Sequence, residues 1–525
     1  MQTEDYLIPL GTGAERIVDD LDGSLTLSVA ASETFTTTYW DTADWRIYRD
    51  GGLLETVRVG RKSETLWRRR ENGDEVARWA GKCPGFAWDF PEGEGRNLLE
   101  PVIIMRALLP MVTVRGTLRR AAVLNGDDKT VARIEAVDLD GKKSGVPLPG
   151  LVRILPVRGY DADFAKLKCA ITTETRLAKM DRDRGTVLFE ALGIDYGVDP
   201  NKIDVSFKPE MKAGSAVKSV LLHLLDIMEA NSQGVIDDVD TEFLHEFRVA
   251  VRRSRSALVP FKDCFQKESF ARFKDDLSWL GRDTGDPRDM DVWLLKFPNY
   301  KAMLPDEVKP QLDPLGGFLK KKRNASYAKL RRDLKTKRYD AFVRDWRNFL
   351  EADGPQGAVQ PMAEEPVSAL ADKWIGKFYK RLIKEGSAID PQSPAEALHD
   401  LRKTCKKFRY QIDFFASLYP KTKFKSAVKE LKRLQENLGD FQDLEVQADS
   451  LRGFASEMIE KGGKDGEVYL AMGMLVSDLL QRQAEVRKEF GERFDRFAGE
   501  QNRALFNELF IDKQNTSNQT EETGA

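Results

Sequence analysis

The chain has 525 residues, with 83 Lys and Arg against 85 Asp and Glu, a net charge of −2. That length predicts two or three domains rather than one hydrophobic core. The near balance hides runs of basic residues, so whole-chain charge says little about the partner. Four widely separated cysteines, Cys83, Cys169, Cys264 and Cys405, form no C-x-x-C pair, which argues against a disulfide framework or a zinc knuckle and fits a reducing cytoplasm.

The opening "MQTEDYLIPLGTG" starts with acidic residues and lacks the basic-then-apolar pattern of a secretory signal. To about residue 195, alternating stretches such as "SLTLSV" and "TVARIEAVDL", punctuated by "RDGG", "ENGD", "LNGDD" and "LDGKK", predict strands and hairpins. "LEPVIIMRALL" and "RGTVLFEAL" predict helices among them, giving an α+β domain. The most apolar window, "LEPVIIMRALLPMVTV", is interrupted by Arg106 and Pro110 and is too short to span a membrane. After a polar hinge near "YGVDPNKIDVSFKPEMKAGSA" the pattern becomes long amphipathic helices, which predicts an all-α second half. "EADGPQGAVQPMAEEPV" (351–367) reads as a linker within that half, and residues 511–525 as a disordered tail.

The helical half repeats itself. "HEFRVAVRRSRS" (245–256) and "HDLRKTCKKFRY" (399–410) share H-x-x-R-x-x-x-B-B-x-R, with B for Arg or Lys, at an offset of 154 residues. The same offset lays "LSWLGRDTGDPRDMDV" over "LKRLQENLGDFQDLEV", matching Gly285 with Gly439 and Asp289 with Asp443. One ungapped register joining two separate stretches marks a duplicated multi-helix unit, with halves near 214–350 and 368–510. Spacings of 0, 3, 7 and 10 fall within about 80° of a helix, so His245, Arg248, Arg252 and Arg255 form one stripe about 15 Å long. His399, Arg402, Lys406 and Arg409 form its counterpart, with Arg253 and Lys407 beside them. Like charges so spaced oppose the helix unless something anionic offsets them. A solvated basic face is the plainer reading of any such run, but the repeated histidine adds little to solubility. Further positive charge lies at 316–338, with ten Lys or Arg and one acid, so facing stripes would merge into a basic channel suited to a polyanion. Asp289 and Asp291 are expected to cap or pair within the bundle.

The pair "LHEFRVAVRRSRSAL" and "LHDLRKTCKKFRYQIDFF", each followed by an "LG…D…D/E-V" segment, resembles the CHAD domain, the conserved-histidine α-helical domain, over roughly 210–510. The resemblance implies two four-helix bundles related by pseudo-twofold symmetry, a basic central surface, and binding of inorganic polyphosphate, often on cytoplasmic granules. It carries the anion-binding role to His245, Arg248, Arg252, Arg253, Arg255, His399, Arg402, Lys406, Lys407 and Arg409. No cofactor is required for such binding.

"TTTYWDTADWRIYRDGGLL", with later agreement at "LLEPVIIMRALL" and "AKMDRDRGTVLFEALG", resembles the CYTH domain over residues 1–200. It implies an antiparallel β-barrel whose charged tunnel handles triphosphates with Mg²⁺ or Mn²⁺. The family's E-x-E-x-K strand corresponds to "EDYLI", where Glu4 remains but Tyr6 and Ile8 replace the second Glu and the Lys. Losing a hard oxygen ligand and a phosphate-binding cation weakens such a site. Arg58, Arg68, Arg70 and Arg133 are left as phosphate candidates, and Glu4, Glu135 and Asp138 as metal candidates.

The expectation is a noncatalytic polyphosphate-binding protein with a degenerate first domain. A metal-dependent triphosphatase or polyphosphatase fed by the helical domain is the second reading, and nucleic-acid binding the third. The last lacks any helix-turn-helix, zinc-finger or RNP-like pattern. If the histidines touch the polymer, binding should tighten as pH falls through about 6.5.

Overall fold

The computed structural model describes residues 3–141, 146–202, 205–259, 261–352, 360–463 and 465–510. The expected tail (511–525) and the centre of the expected linker (353–359) lie outside the described residues. The chain forms two compact units, Met1–Asn201 and Lys202–Ala525.

The first unit is built on ten strands: β1 (Glu4–Ile8), β2 (Thr26–Val29), β3 (Glu33–Asp41), β4 (Gly52–Val59), β5 (Lys62–Arg69), β6 (Glu75–Ala80), β7 (Leu109–Leu124), β8 (Thr130–Leu139), β9 (Gly150–Pro156) and β10 (Ala178–Lys179). Five helices accompany them: α1 (Ala14–Asp22), α2 (Arg46–Arg49), α3 (Glu94–Ile103), α4 (Asp161–Thr173) and α5 (Arg184–Ala191). All pairings are antiparallel, in the order β10-β1-β9-β8-β7-β3-β4-β5-β6, with β2 also on β7. The end strands β10 and β6 do not pair, so ladder hydrogen bonds leave the expected barrel open. Period-2 alternation sends Tyr6, Ile8, Ile134, Ala136, Val152 and Ile154 into a core with Val18 and Leu21 of α1 and Phe164 and Leu167 of α4. The opposite face of the strands lines a cavity.

The signature turn "DTADW" is a cap. Asp41 accepts the backbone N–H groups of Thr42, Ile47 and Tyr48 at 2.7, 2.9 and 2.8 Å, and Thr42 Oγ1 donates to Asp44 while accepting the Arg46 N–H. Burial pushes the Asp41 carboxyl up to about 6 even against those three donors. Asp41→Ala strands three buried N–H groups, and a loss of about 3 kcal/mol is expected. Urea unfolding followed by tryptophan fluorescence reads this as an earlier transition of the sheet unit, and an unchanged midpoint would contradict the cap.

The second unit is helical: α6 (Ala213–Asp237), α7 (Thr241–Leu258), α8 (Lys267–Asp283), α9 (Gly285–Ala302), α10 (Asp313–Asp333), α11 (Lys337–Glu351), α12 (Pro361–Glu364), α13 (Val367–Ser387), α14 (Ala395–Phe414), α15 (Lys421–Glu460), α16 (Gly466–Ala498) and α17 (Glu500–Phe510). The duplication is visible in the boundaries: α6 and α13, α7 and α14, and α8 and α15 each begin 154 residues apart. The first four-helix bundle packs α6, α7, α8 and α11, where Phe273 meets Trp346 with ring centres 4.2 Å apart. The second packs α13, α14, α17 and the start of α15, where Tyr379 stacks on Phe506 at 4.4 Å.

A third core joins the two bundles. Met290, Trp293 and Tyr300 of α9 and Leu315 and Leu319 of α10 pack with Ala448, Leu451 and Phe454 of α15 and Val468, Met472 and Leu475 of α16. Helices of both repeats therefore leave their own bundles to meet in the middle. The first repeat breaks between α8 and α9 at Thr284, whereas the second runs through the matching position as the single helix α15. No helix among the described residues is long and apolar enough to cross a membrane.

Candidate functional site

The repeated stripes lie on α7 and α14, and these two helices pack against each other. Buried Phe243, Leu244, Phe247 and Val251 hold α7 by one side, and Leu398, Leu401, Cys405 and Phe408 hold α14. The cations are left on the other sides. At the crossing, repeat-equivalent residues meet. The Arg252 guanidinium lies 5.6 Å from the centre of the Tyr410 ring on α14 and close enough to Lys406, its own counterpart, to depress it. Phe261 and Phe415, again 154 residues apart, have ring centres 5.8 Å apart. An axis of pseudo-twofold symmetry thus passes through a cationic pair and an aromatic pair, and one residue of each stripe, Arg252 and Lys406, meets there.

Arg252 and Lys406 carry no ion pair among the described residues. Burial, with the nearby charges of Arg402 and Arg252, brings the Lys406 ammonium down to about 8, although Asp443 pulls the other way. Burial, partly offset by Asp289, and the guanidinium groups of Arg252, Arg288 and Arg255 hold Arg248 below the usual arginine range. Charge of one sign is crowded here beyond what the protein itself neutralises.

The remaining stripe residues are divided between the groove and the scaffold. Arg248 donates to the Gly281 carbonyl at 2.9 Å and to Thr284 Oγ1 at 3.3 Å, with Gly285 beside its guanidinium. Arg255 lies over Gly281, where a Cβ would come within 2.7 Å of its Nη1. Arg402 donates to Gln442 Oε1 at 2.7 Å and Asp443 Oδ1 at 2.9 Å, beside the equivalent Gly439. Its Nε is buried with no partner, a donor left over for an acceptor in the groove. Arg409 pairs with Asp413 at 2.8 Å, Arg253 is half-buried, and Lys407 is exposed.

The histidines take different roles. His245 is half-buried one turn before Arg248. His399 Nε2 meets the Gln442 side-chain nitrogen, and its Nδ1 lies 4.0 Å from the Glu445 carboxylate. Because arginine only donates, Gln442 must present its oxygen to Arg402 and its amide N–H to the imidazole, which therefore accepts at Nε2 and carries its proton on Nδ1. Gln442, itself held by His399, and Asp443 fix where that guanidinium points. Tyr410 and Gln442 stand within quoted motifs, yet only the packing of α14 on α7 and α15 gives them a task.

The basic segment 316–338 contributes less free charge than its composition suggests. Arg323 is bound to Asp291 at 2.6 Å and to both oxygens of Asp238, Lys329 to Asp283 at 2.6 Å, and Arg338 to Asp276 at 3.3 Å. Asp291 also accepts from Tyr327, so it pairs within the bundle as expected, while Asp289 is an electrostatic neighbour of Arg248.

In the first unit, a cavity of about 920 Å³ is lined from nearly every strand. Its cations are largely matched by acids. Asp5 and Arg153 form a two-bonded pair at 2.7 Å, Glu55 accepts from Arg68 at 3.2 Å and Arg184 at 2.8 Å, and Arg120 reaches Glu135 at 3.3 Å. Burial would raise the carboxyls of Asp5 and Glu55, but the arginines beside them hold both below the usual range. Of the phosphate candidates, Arg68 lines the cavity; Arg70 pairs with Asp183 at 2.9 Å and stacks on Tyr48; Arg58 and Arg133 are exposed, Arg58 on the opposite face of its strand.

The metal candidates do not converge. Glu4 pairs with Lys168 and Lys179 on the other side of β1 from Asp5, Asp138 accepts the Ala14 N–H to cap α1, and only Glu135 lines the large cavity. The residues read against E-x-E-x-K are out of register with that wall, since Tyr6 and Ile8 are core and Asp5 faces the cavity. Among the described residues no group of three or more His, Cys, Asp or Glu is placed to hold a metal, so the donor set does not fit a Mg²⁺ or Mn²⁺ centre.

A sheet unit with a charge-matched cavity followed in the chain by a duplicated helical unit with a cationic groove defines the class of the molecule. Residues 219–452 match the family model of the CHAD domain, and this part of the chain is a CHAD domain. Solved structures similar to the chain include the CHAD domain from the plant Ricinus communis, at 25% identity over 55% of this chain and 93% of that one, with a TM-score of 0.46. PptA from Streptomyces chartreusis is similar at 13% identity over 54% and 99%, with a TM-score of 0.41. An adenylyl cyclase-type protein from Hippeastrum described as having a dominant triphosphatase activity is similar at 9% identity over 37% and 96%, with a TM-score of 0.28. No curated protein matches the chain.

Proposed function

We propose that the protein binds inorganic polyphosphate in the groove between α7 and α14 and that this binding involves no chemistry on the polymer. The observation that carries the reading is the meeting of Arg252 and Lys406 on the pseudo-twofold axis with no carboxylate bonded to either. Around them Arg248 and Arg402 are held by neighbouring carbonyl, hydroxyl, amide and carboxylate groups, so their forks are ordered before a ligand arrives. A linear anion with charge at every unit can satisfy several of these donors at once, whereas a single phosphate cannot. His399 acts here by aiming Arg402 through Gln442, which makes acid-enhanced contact with the polymer unnecessary to explain its place in the repeat. Residence on polyphosphate granules in the cytoplasm accords with this reading.

The test is a titration of labelled long-chain polyphosphate into the purified protein with excess RNA and DNA present, while released phosphate is followed in the same tube. Saturable binding that survives the nucleic acids, without release, is the expected result. Release that requires Mg²⁺ or Mn²⁺ would establish instead that the sheet unit is an enzyme. Displacement by equal charge of RNA would reduce the groove to a general cation surface.

A further inference from the structure

The two bundles of the duplication differ in charge where they should be alike. On α13, Lys373, Lys377, Lys380 and Lys384 are all exposed and follow one another at helical spacing along about 16 Å of the helix. None of the four has a carboxylate partner among the described residues. Their counterparts on α6 are Ser219, His223, Asp226 and Ala230. The register is secure, because buried Ala213, Ala216, Val217, Leu221, Leu225 and Met228 of α6 fall on buried Val367, Leu370, Ala371, Ile375, Tyr379 and Leu382 of α13. The same contrast continues on α14, where exposed Lys403 stands against Val249, and on α15, where exposed Lys429 stands against Asp275. One copy of the unit has acquired lysines on its outer face while the other has lost or never had them.

Packing needs no such row. Four like charges on one helix face each cost a few tenths of a kcal/mol in repulsion, and the six shared core positions are satisfied without them. The helix that carries the row, α13, packs on α14, one wall of the groove. α14 packs against both α7 and α13, presents Arg402 and Lys406 to the groove, and also exposes Lys407 and Lys403, the latter paired with Asp400 at 3.0 Å. In the groove Arg248 and Arg402 are fixed by hydrogen bonds, whereas the four lysines of α13 stand on free stems, which follow a flexible anion without fixing its geometry.

We propose that this lysine row on α13 and α14 is a second track that carries a polyphosphate chain onward after it leaves the axial groove, so that the protein discriminates chains by length and in one direction only. The proposal rests on the polyphosphate reading of the groove. A chain confined to the groove gains nothing from the track, and a longer one gains local contacts whose effective concentration is set by its own tether.

The experiment compares tripolyphosphate with long-chain polyphosphate on the full-length protein and on the variant Lys373→Gln/Lys377→Gln/Lys380→Gln/Lys384→Gln, with helicity checked by circular dichroism. Long-chain affinity is expected to fall about tenfold and the slope of log K against log salt to drop by roughly two to three, while tripolyphosphate binding stays within twofold. A second variant, Ser219→Lys/Asp226→Lys, builds part of the row on α6 and should raise long-chain affinity. Unchanged long-chain affinity in the first variant overturns the track, as does an equal loss for both probes. The track is also overturned if the variant loses binding only to phosphatidylserine vesicles or only to single-stranded RNA. Failure of the groove has a different signature: tripolyphosphate binding that survives Arg252→Gln/Lys406→Gln refutes the groove and leaves the long-chain comparison standing.

Discussion

Replacing Arg252 and Lys406 together by glutamine should weaken long-chain polyphosphate binding about a hundredfold, the equivalent of two charge-assisted hydrogen bonds at ~1.5 kcal/mol each. Every chain that follows the groove must cross the axis, and these are the cations that stand on it. Folding should not suffer. Neither side chain is bonded to a carboxylate, so no acid is stranded, and two crowded charges are removed. The contrast is Arg402→Gln, which takes its partner from Asp443 and disconnects Gln442 from its acceptor role, and which should therefore cost stability as well as affinity. Isothermal titration beside urea unfolding separates the two effects. A double variant that binds normally would place the polymer elsewhere.

Polyphosphate affinity is expected to fall as pH rises through about 8, the value to which burial and the charges of Arg402 and Arg252 bring Lys406. Above that pH the empty groove holds a neutral amine, and the incoming anion must bring a proton with it. The loss approaches tenfold per pH unit for one proton. Below about 8 the curve should flatten. Lys406→Arg, with a cation that keeps its charge, should remove the slope without removing binding. The same shift has a consequence for folding with its own sign. The native value lies below the unfolded one of 10.5, so between about pH 8 and 10.5 the unfolded chain holds more protons and stability rises with pH. A binding curve that bends near 6.5 instead would return the histidines to direct contact.

Much of this arrangement was legible in the residues. The offset of 154 fixed the helix pairs because amphipathic periods and the H-x-x-R motif are local properties, and strand β8 spans "TVARIEAVDL", with alternate burial through its middle from Ala132 to Val137. What could not be read was which cations remain unneutralised. Arg323 looks like part of a basic run, yet its acids, Asp238 and Asp291, lie 85 and 32 residues away and reach it only when α10 packs beside α9 and the end of α6. The opening strand shows the other limit. Reading the metal motif onto Glu4, Tyr6 and Ile8 places it on the face packed against α1 and α4, because a shift of one residue exchanges the two faces of a strand. Likewise the most recognisable segment of the first half, "DTADW", earns its recognisability as a backbone cap and not as chemistry. Local patterns determine which elements form; long-range partners determine which charges stay available.

The self-contacts on the axis, Arg252 with Lys406 and Phe261 with Phe415, are the kind that an isologous homodimer makes at its twofold, where each residue meets its own image. Here both images belong to one polypeptide, and α9 and α10 together with α15 and α16 complete the shared core that two subunits would otherwise have to build by association. A closed twofold uses up its own complementary surface. One polypeptide therefore supplies both halves of the groove.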